Sequence, residues 1–309
     1  MITYGGPRLQ PEHFELSRVP EEVARFGHGD PELPVGSPGK VGVLELTFER
    51  RGERTELVGR YQKSPLQIMR PLYYDEARPD LPYTLVVTTG GGVLQGDRQR
   101  LDITVGEGAA AHVGTQAHTK LYRMDHGYAT SAVRLDLAAH AYLEHLPDPV
   151  IPYAGSRFAQ HLRVTMDPTA TLVIGETVYA GRLSRGERHE YDAYASDLEI
   201  NDPHGRPLVV DRVRLAPRSG AGLGVLAGHD IVATWLVVTP LVAARDLADA
   251  LHRVAGGHDT GVSVLPADSG AWVRIVADDP VVVAASWRRL WETTRLTLTG
   301  HPPPPPRKY

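Results

Sequence analysis

From residue 41 to about residue 215 the chain reads as one short β-strand after another, and no other feature limits its possible folds so strongly. Val41, Val43, Glu45 and Thr47 alternate with Gly42, Leu44, Leu46 and Phe48, the two-residue period of a strand with two different faces. Arg51-Gly52-Glu53 then reads as the turn of a hairpin into a second strand over 55–61. Further strands are predicted over 83–89, 98–105, 132–137, 141–146, 161–166 and 171–178, separated by clusters of Gly, Pro, Asp and Asn. No amphipathic helix is evident before residue 240. The predicted body is therefore mainly β.

A weak internal repeat sharpens this reading. Val105-Gly-Glu-Gly-Ala109, Leu137-Ala-Ala-His-Ala141 and Met166-Asp-Pro-Thr-Ala170 each place an apolar residue, three spacers and an alanine before a short strand, at intervals of 32 and 29 residues. Such spacing suits stacked β units, a solenoid-like or two-layered body. Chance similarity among hairpins would give the same pattern. Counted from the alanines, Thr115, Pro147 and Glu176 fall at matching positions, and Gln116, Asp148 and Thr177 follow one step later. If the units stack, these tips align along one edge. A row of oxygen donors there would suit a hard or borderline cation in transit, held weakly at many points.

The last third has a different rhythm. A strand is predicted over 231–238. A helix follows, with Thr239 as cap and Pro240 at its first position, running to about residue 254 and stopping at Gly256-Gly257. Two strands, 261–265 and 271–276, precede a second helix capped by Asp279 with Pro280 next. Val283, Trp287, Leu290, Trp291 and Thr294 share one face of it. The expected organisation is a poorly ordered or surface-draped arm over 1–40, a β body over 41–230, a β-α-β-β-α unit over 231–300 packed on that body, and an exposed Pro-rich tail over 301–309.

Composition excludes several chemistries. The net charge is −4, without the clustered positive excess that nucleic acid or an anionic membrane would require. There is no cysteine, so disulfides, thiolate zinc sites and thiol nucleophiles are absent. The longest apolar run, around 231–244, is too short to span a bilayer. The start lacks the pattern of a signal peptide. A soluble cytoplasmic protein is the expectation.

Individual residues admit both structural and functional readings. The stretch from Gly90 to Asp97 lacks the Gly-Lys-Ser/Thr of a phosphate loop and reads as a tight turn with Asp97 bonded to its own backbone, or as a buried carboxylate on a metal path. Glu176 follows the apolar run Leu172-Val173-Ile174-Gly175. It must be paired, hydrated or metal-facing; Arg182 and Arg185 are near enough in sequence to pair with it. His140 and Glu144 share a strand face but lie about 13 Å apart along it. His140 and His145 point to opposite faces. His118 and His126 flank a loop and could approach each other. Ser64, Ser156, Ser184 and Ser196 lack the setting of a nucleophile elbow.

Five stretches, in order, resemble the UreD (UreH) urease accessory proteins. They are Arg60-Tyr61-Gln62-Lys63-Ser64-Pro65-Leu66 with Arg70-Pro71; Gly90-Gly91-Gly92-Val93-Leu94-Gln95-Gly96-Asp97 with Leu101-Asp102-Ile103-Thr104-Val105; Gly114-Thr115-Gln116-Ala117-His118-Thr119-Lys120-Leu121-Tyr122; Leu143-Glu144-His145-Leu146-Pro147-Asp148-Pro149 leading to Pro152-Tyr153-Ala154-Gly155; and Gly175-Glu176-Thr177 with Gly181-Arg182-Leu183-Ser184-Arg185-Gly186-Glu187. Trp287-Arg288-Arg289-Leu290-Trp291 with Arg295 extends the match. The resemblance implies a role in assembly, not a reaction. The chain would dock on apo-urease and on UreF, which recruits the GTPase UreG, and would offer nickel a passage without binding any cofactor tightly. Candidate residues of the nickel path are Asp97, Gln116, His118, Glu144, Asp148 and Glu176. Candidate docking residues are Trp287, Trp291 and Arg295. The rival readings are a β-solenoid hydrolase acting on carbohydrate and a His/carboxylate metalloenzyme of β-barrel type.

Overall fold

The computed structural model of the chain describes residue 8 and residues 10–27, 40–217, 226, 228–255 and 259–305. Most of the Gly/Pro-rich part of the predicted arm, the Gly256-Gly257 stop and the last four residues of the tail lie outside the described residues. In chain order the elements are α1 (Pro11–Phe14), α2 (Glu21–Ala24), β1 (Val41–Arg51), β2 (Arg54–Lys63), β3 (Leu66–Ile68), β4 (Tyr83–Thr88), β5 (Arg98–Val105), β6 (Ala110–Thr115), β7 (Thr119–Leu121), β8 (Ala129–Leu137), β9 (Tyr142–Leu146), β10 (Val150–Pro152), β11 (Arg157–Met166), β12 (Thr171–Tyr179), β13 (Ala193–Asn201), β14 (Pro207–Leu215), β15 (Ile231–Val238), α3 (Ala244–Ala255), β16 (Thr260–Val264), β17 (Gly270–Ala277) and α4 (Pro280–Thr299).

The strands form two stacked sheets. The first runs β14-β13-β11-β8-β5-β1-β2, and the second runs β16-β17-β15-β12-β9-β6-β4-β3, with β7 and β10 attached. From β4 to β13 the long strands fall alternately in the second sheet and the first, and neighbours within each sheet are parallel. This is the solenoid-like, two-layered body that the repeat predicts. The repeat itself is a set of stacked corners. Val105, Leu137 and Met166 are register partners in the first sheet, and Ala110, Tyr142 and Thr171 are partners in the second. Ala109, Ala141 and Ala170 lie between them, all buried. A larger side chain at such a corner would hold the successive coils apart.

The main core fills the space between the sheets. It includes Leu44, Leu46 and Phe48 from the alternating face of β1, with Leu143, Leu172 and Leu236 opposite. A second core lies on the outer face of the second sheet, where Trp235, Leu247, Leu251 and Leu290 meet beneath α3 and α4. β15 is buried along its whole length because it separates the two. The 231–300 segment joins the body by backbone pairing as well as by packing: β15 pairs antiparallel with β12 from Leu172↔Val238 to Tyr179↔Ile231.

One predicted boundary moves. The first C-terminal helix begins at Ala244, not after a cap at Thr239. The Thr239 hydroxyl is buried against that of Thr171, 2.8 Å away, and accepts from Leu241 N in a turn that precedes the helix. The second helix starts as predicted, with Asp279 Oδ1 accepting from Val281 N at 2.7 Å. Among the described residues, no helix is long and apolar enough to cross a membrane.

Candidate functional site: a polar layer between the sheets

Alternation along the first sheet calls for apolar residues facing the core, yet one layer breaks the rule. Gln99, Ser131, Gln160 and Ser196 are successive register partners on β5, β8, β11 and β13. Two residues further along each strand the core resumes, with Leu101, Val133, Leu162 and Leu198. Opposite this row the second sheet presents Thr115 on β6, Glu176 on β12 and Thr234 on β15, the last two being register partners. Both rows line one cavity of about 130 Å³, with His145, Asp148 and Asp211 also on its wall. That volume holds several water molecules.

Glu176 is the centre of the layer. Its Oε1 accepts from Gln160 Nε2 at 2.9 Å, Tyr194 Oη at 2.9 Å and Ser196 Oγ at 2.8 Å. The residue lines the cavity, and burial pushes the carboxyl above the ordinary glutamate range despite these donors. Nearby, burial pushes the His145 imidazole down to about 4, so it is neutral at pH 7. Gln99 Nε2 and His145 Nδ1, on side chains that line the cavity, make no hydrogen bond among the described residues. Buried polar atoms in such a setting are normally satisfied by water, which the cavity is large enough to hold.

A stability consequence follows for Glu176. Its folded pKa is raised, so between the unfolded value and the folded one the native state binds more protons. Stability therefore falls as pH rises through that window. Glu176→Gln keeps an acceptor for all three donors and removes the charge. At pH 7 the variant is expected to melt at a higher temperature than the wild type, because the charge that burial disfavours is gone. The difference should disappear in melts taken near pH 4.

The other face of the second sheet holds a closed ionic cluster. Arg295 of α4 is fully buried, with Nη2 donating to Asp75 Oδ2 at 2.7 Å and Nη1 to Glu144 Oε1 at 3.2 Å. Glu144 also accepts from Tyr142 Oη at 2.7 Å and Trp291 Nε1 at 3.1 Å, and its Oε2 lies 2.8 Å from His112 Nδ1. Burial alone would raise the Glu144 carboxyl, but the His112 hydrogen bond and the Arg295 charge outweigh it and hold the group down at about 2. The cluster pins α4 and the Asp75 segment to the sheet. Beside it, beneath α4, lies a second cavity of about 360 Å³ lined by Leu72, Tyr179, Trp287, Trp291, His118 and Asp148, among others.

Comparison with known proteins agrees with the motif order. The family model described as UreD urease accessory protein matches residues 40–309. The chain is 50% identical over 282 residues to the urease accessory protein UreD 2 of Streptomyces griseus, covering 89% of this chain and 96% of that one. It is 39% identical over 283 residues to the urease accessory protein UreD of Haloarcula marismortui, covering 90% and 94%. A UreD 3 of Methylorubrum populi is 37% identical over 291 residues, covering 92% and 94%. The chain belongs to the UreD urease accessory protein family. That family consists of accessory proteins rather than enzymes, which sets aside the hydrolase and metalloenzyme readings.

On this UreD-family fold the predicted path residues separate. Glu176 and Asp148 line the interior cavity, and His118 and Asp148 line the outer one. Asp97 lies on neither wall. Its Oδ2 accepts from Leu94 N at 2.9 Å and its Oδ1 from Lys40 N at 2.8 Å, so it locks the Gly-rich turn as the structural reading expects. Gln116 is exposed at a strand tip. Glu144 faces away from the interior, because β9 turns Leu143 and His145 inward and Tyr142 and Glu144 outward. Arg295 is buried and spends its guanidinium on carboxylates, so it is not available at the surface for docking. Trp287 and Trp291 are half-buried on the wall of the outer cavity. Arg182 pairs with Glu187 rather than with Glu176. Periodicity along single strands does not reveal the first-sheet row. Its signal is a polar residue two places before Leu or Val, as in Gln99-Arg100-Leu101, Ser131-Ala132-Val133, Gln160-His161-Leu162 and Ser196-Asp197-Leu198.

Proposed function

We propose that this chain is a maturation factor for urease which conveys nickel through the hydrated layer between its sheets while scaffolding UreF and UreG on the apo-enzyme in the cytoplasm. The observation that carries the reading is the facing of the two polar rows across the interior cavity. A β-sandwich gains stability from an apolar interior, and a layer of Gln, Ser, Thr and Glu across its middle lowers that gain. Such a layer is retained where it serves a purpose that hydrophobic packing cannot. Its donors are mostly neutral oxygens, with the Glu176 carboxylate at the centre and Asp148 and Asp211 on the wall. That set suits transit, because tight chelation would defeat release. Among the described residues no group of three or more His, Asp or Glu side chains could hold a metal ion together. Nickel is cargo on this reading and not a resident cofactor. The test is maturation of urease with Glu176→Ala or Asp148→Ala. Both variants should lower the nickel content of urease while the amount of chain co-purifying with urease is unchanged. Normal nickel content with both would remove the conveying role.

A further inference from the structure

The wall between the interior cavity and the outer groove has a break in it. β9 pairs with β12 only as far as His145↔Ile174, and pairing to β12 resumes at Val150↔Val178 on β10. Between them, Gly175, Glu176 and Thr177 have no register partner on that side among the described residues. The neighbouring strands break at the same level: β6 pairs with β9 up to Gly114↔Leu146, and β7 pairs with β10 from Thr119↔Val150. Pro147-Asp148-Pro149 crosses the break, and the two prolines have no N–H to close the ladder. The Asp148 N–H is satisfied from the side, by Thr115 Oγ1 at 2.8 Å. Pro149 O takes the Thr119 N–H at 3.0 Å.

This break is where the two cavities meet. Pro147, Asp148 and Thr177 line both the interior cavity and the groove beneath α4. Next to the break stands Gly175, where an added Cβ would lie 2.2 Å from Trp287 Cη2. Only a glycine lets the indole lie this close to the sheet beside the opening.

We propose that this break is a window, the mouth through which a divalent cation steps between the polar layer inside the sandwich and the groove beneath α4, with the Asp148 carboxylate at its lip. The proposal rests on the conveying role above and adds its route. Inside the window the cation meets Glu176 and Thr115. Outside it meets His118 and the Trp287 side of the groove. Each side offers an incomplete ligand set, so the ion passes without being trapped.

The chain has no cysteine, which makes a chemical test direct. Thr177→Cys places a single thiol on this chain at the window, and a methanethiosulfonate reagent blocks it reversibly. Ala284→Cys, on the exposed rim of the groove, serves as a second variant that needs no change in the sheet. Glu107→Cys, at an exposed corner away from both cavities, is the control. Each chain is modified, combined with apo-urease, its other accessory proteins and nickel, and the urease is assayed for bound nickel. The modified Thr177→Cys and Ala284→Cys chains should deliver little of the nickel delivered by the same chains after reduction, with co-purification intact and the control unaffected. Full delivery by both modified variants, while Glu176→Ala lowers delivery, would leave the passage standing and overturn the window. Full delivery by both modified variants and by Glu176→Ala would remove the passage itself. Loss of co-purification on modification would also overturn the window, since the groove would then serve docking.

Discussion

Replacing Arg295 by methionine is expected to cost the fold about 3–5 kcal/mol, the range found when one partner of a buried ion pair is removed. The substitution keeps most of the side-chain length and removes the charged fork. It leaves Asp75 and Glu144 facing each other across the vacated centre, both buried and both stripped of their cation. Arg295→Lys should recover only part of the loss. One ammonium cannot reproduce the two separate directions in which Nη1 and Nη2 reach Glu144 and Asp75. The effect has a defined pH dependence. Glu144 has a depressed folded pKa, so its contribution is fully present above the ordinary glutamate value and is lost as pH falls towards about 2. The difference between wild type and Arg295→Met should therefore be full at pH 7 and shrink through acid. Denaturant titrations at pH 7 and at pH 3 measure both. A difference under about 1 kcal/mol at pH 7, the usual value for a solvent-exposed pair, would show that the cluster is not closed.

The cluster and the polar layer explain how far the sequence can be read. Strand positions are legible because a two-residue period is local: 98–105 and 231–238 are found as Arg98–Val105 and Ile231–Val238. The stacking of the corners is also legible, since three alanine-ended segments at near-equal spacing encode a repeated turn. From that repeat comes the expected alignment of Thr115, Pro147 and Glu176; the paired register keeps the same spacings as far as Gly114↔Leu146 and His145↔Ile174 and stops short of the tips themselves. Three things are not legible. The partner row in the first sheet depends on which strands face each other across the core, and periodicity along one strand carries no such information. Arg295 sits in a helical stripe whose spacing suits either a surface patch or a buried clamp. Only the positions of Asp75 and Glu144, 220 and 151 residues earlier, decide between them. Thr239-Pro240 has the form of a helix start, but the hydroxyl is claimed by Thr171 from another strand. In each case a contact distant in sequence overrides a local preference.

Filling the interior layer should have the largest effect on function. Ser131 and Ser196 lie in the row that faces Glu176, and Ser196 donates to it directly. Changing both to leucine would occupy much of the 130 Å³ cavity and replace hydroxyl groups with methyl groups. Neither residue lines the groove beneath α4, so the outer surface is untouched. Leu101, Val133, Leu162 and Leu198 already pack one layer away, so the added volume meets apolar neighbours on that side, while Ser196→Leu also removes a donor to Glu176. Overpacking of such a core costs about 1–3 kcal/mol, which thermal melts of the variant would report independently. The most direct measurement is therefore the nickel bound per urease active site after maturation with the Ser131→Leu, Ser196→Leu chain, compared with wild type at equal amounts of assembled complex. The expected product is urease that is fully assembled with the accessory proteins yet nearly free of nickel. Urease with its full complement of nickel, delivered by a chain whose interior layer is dry and filled, would contradict passage through that layer.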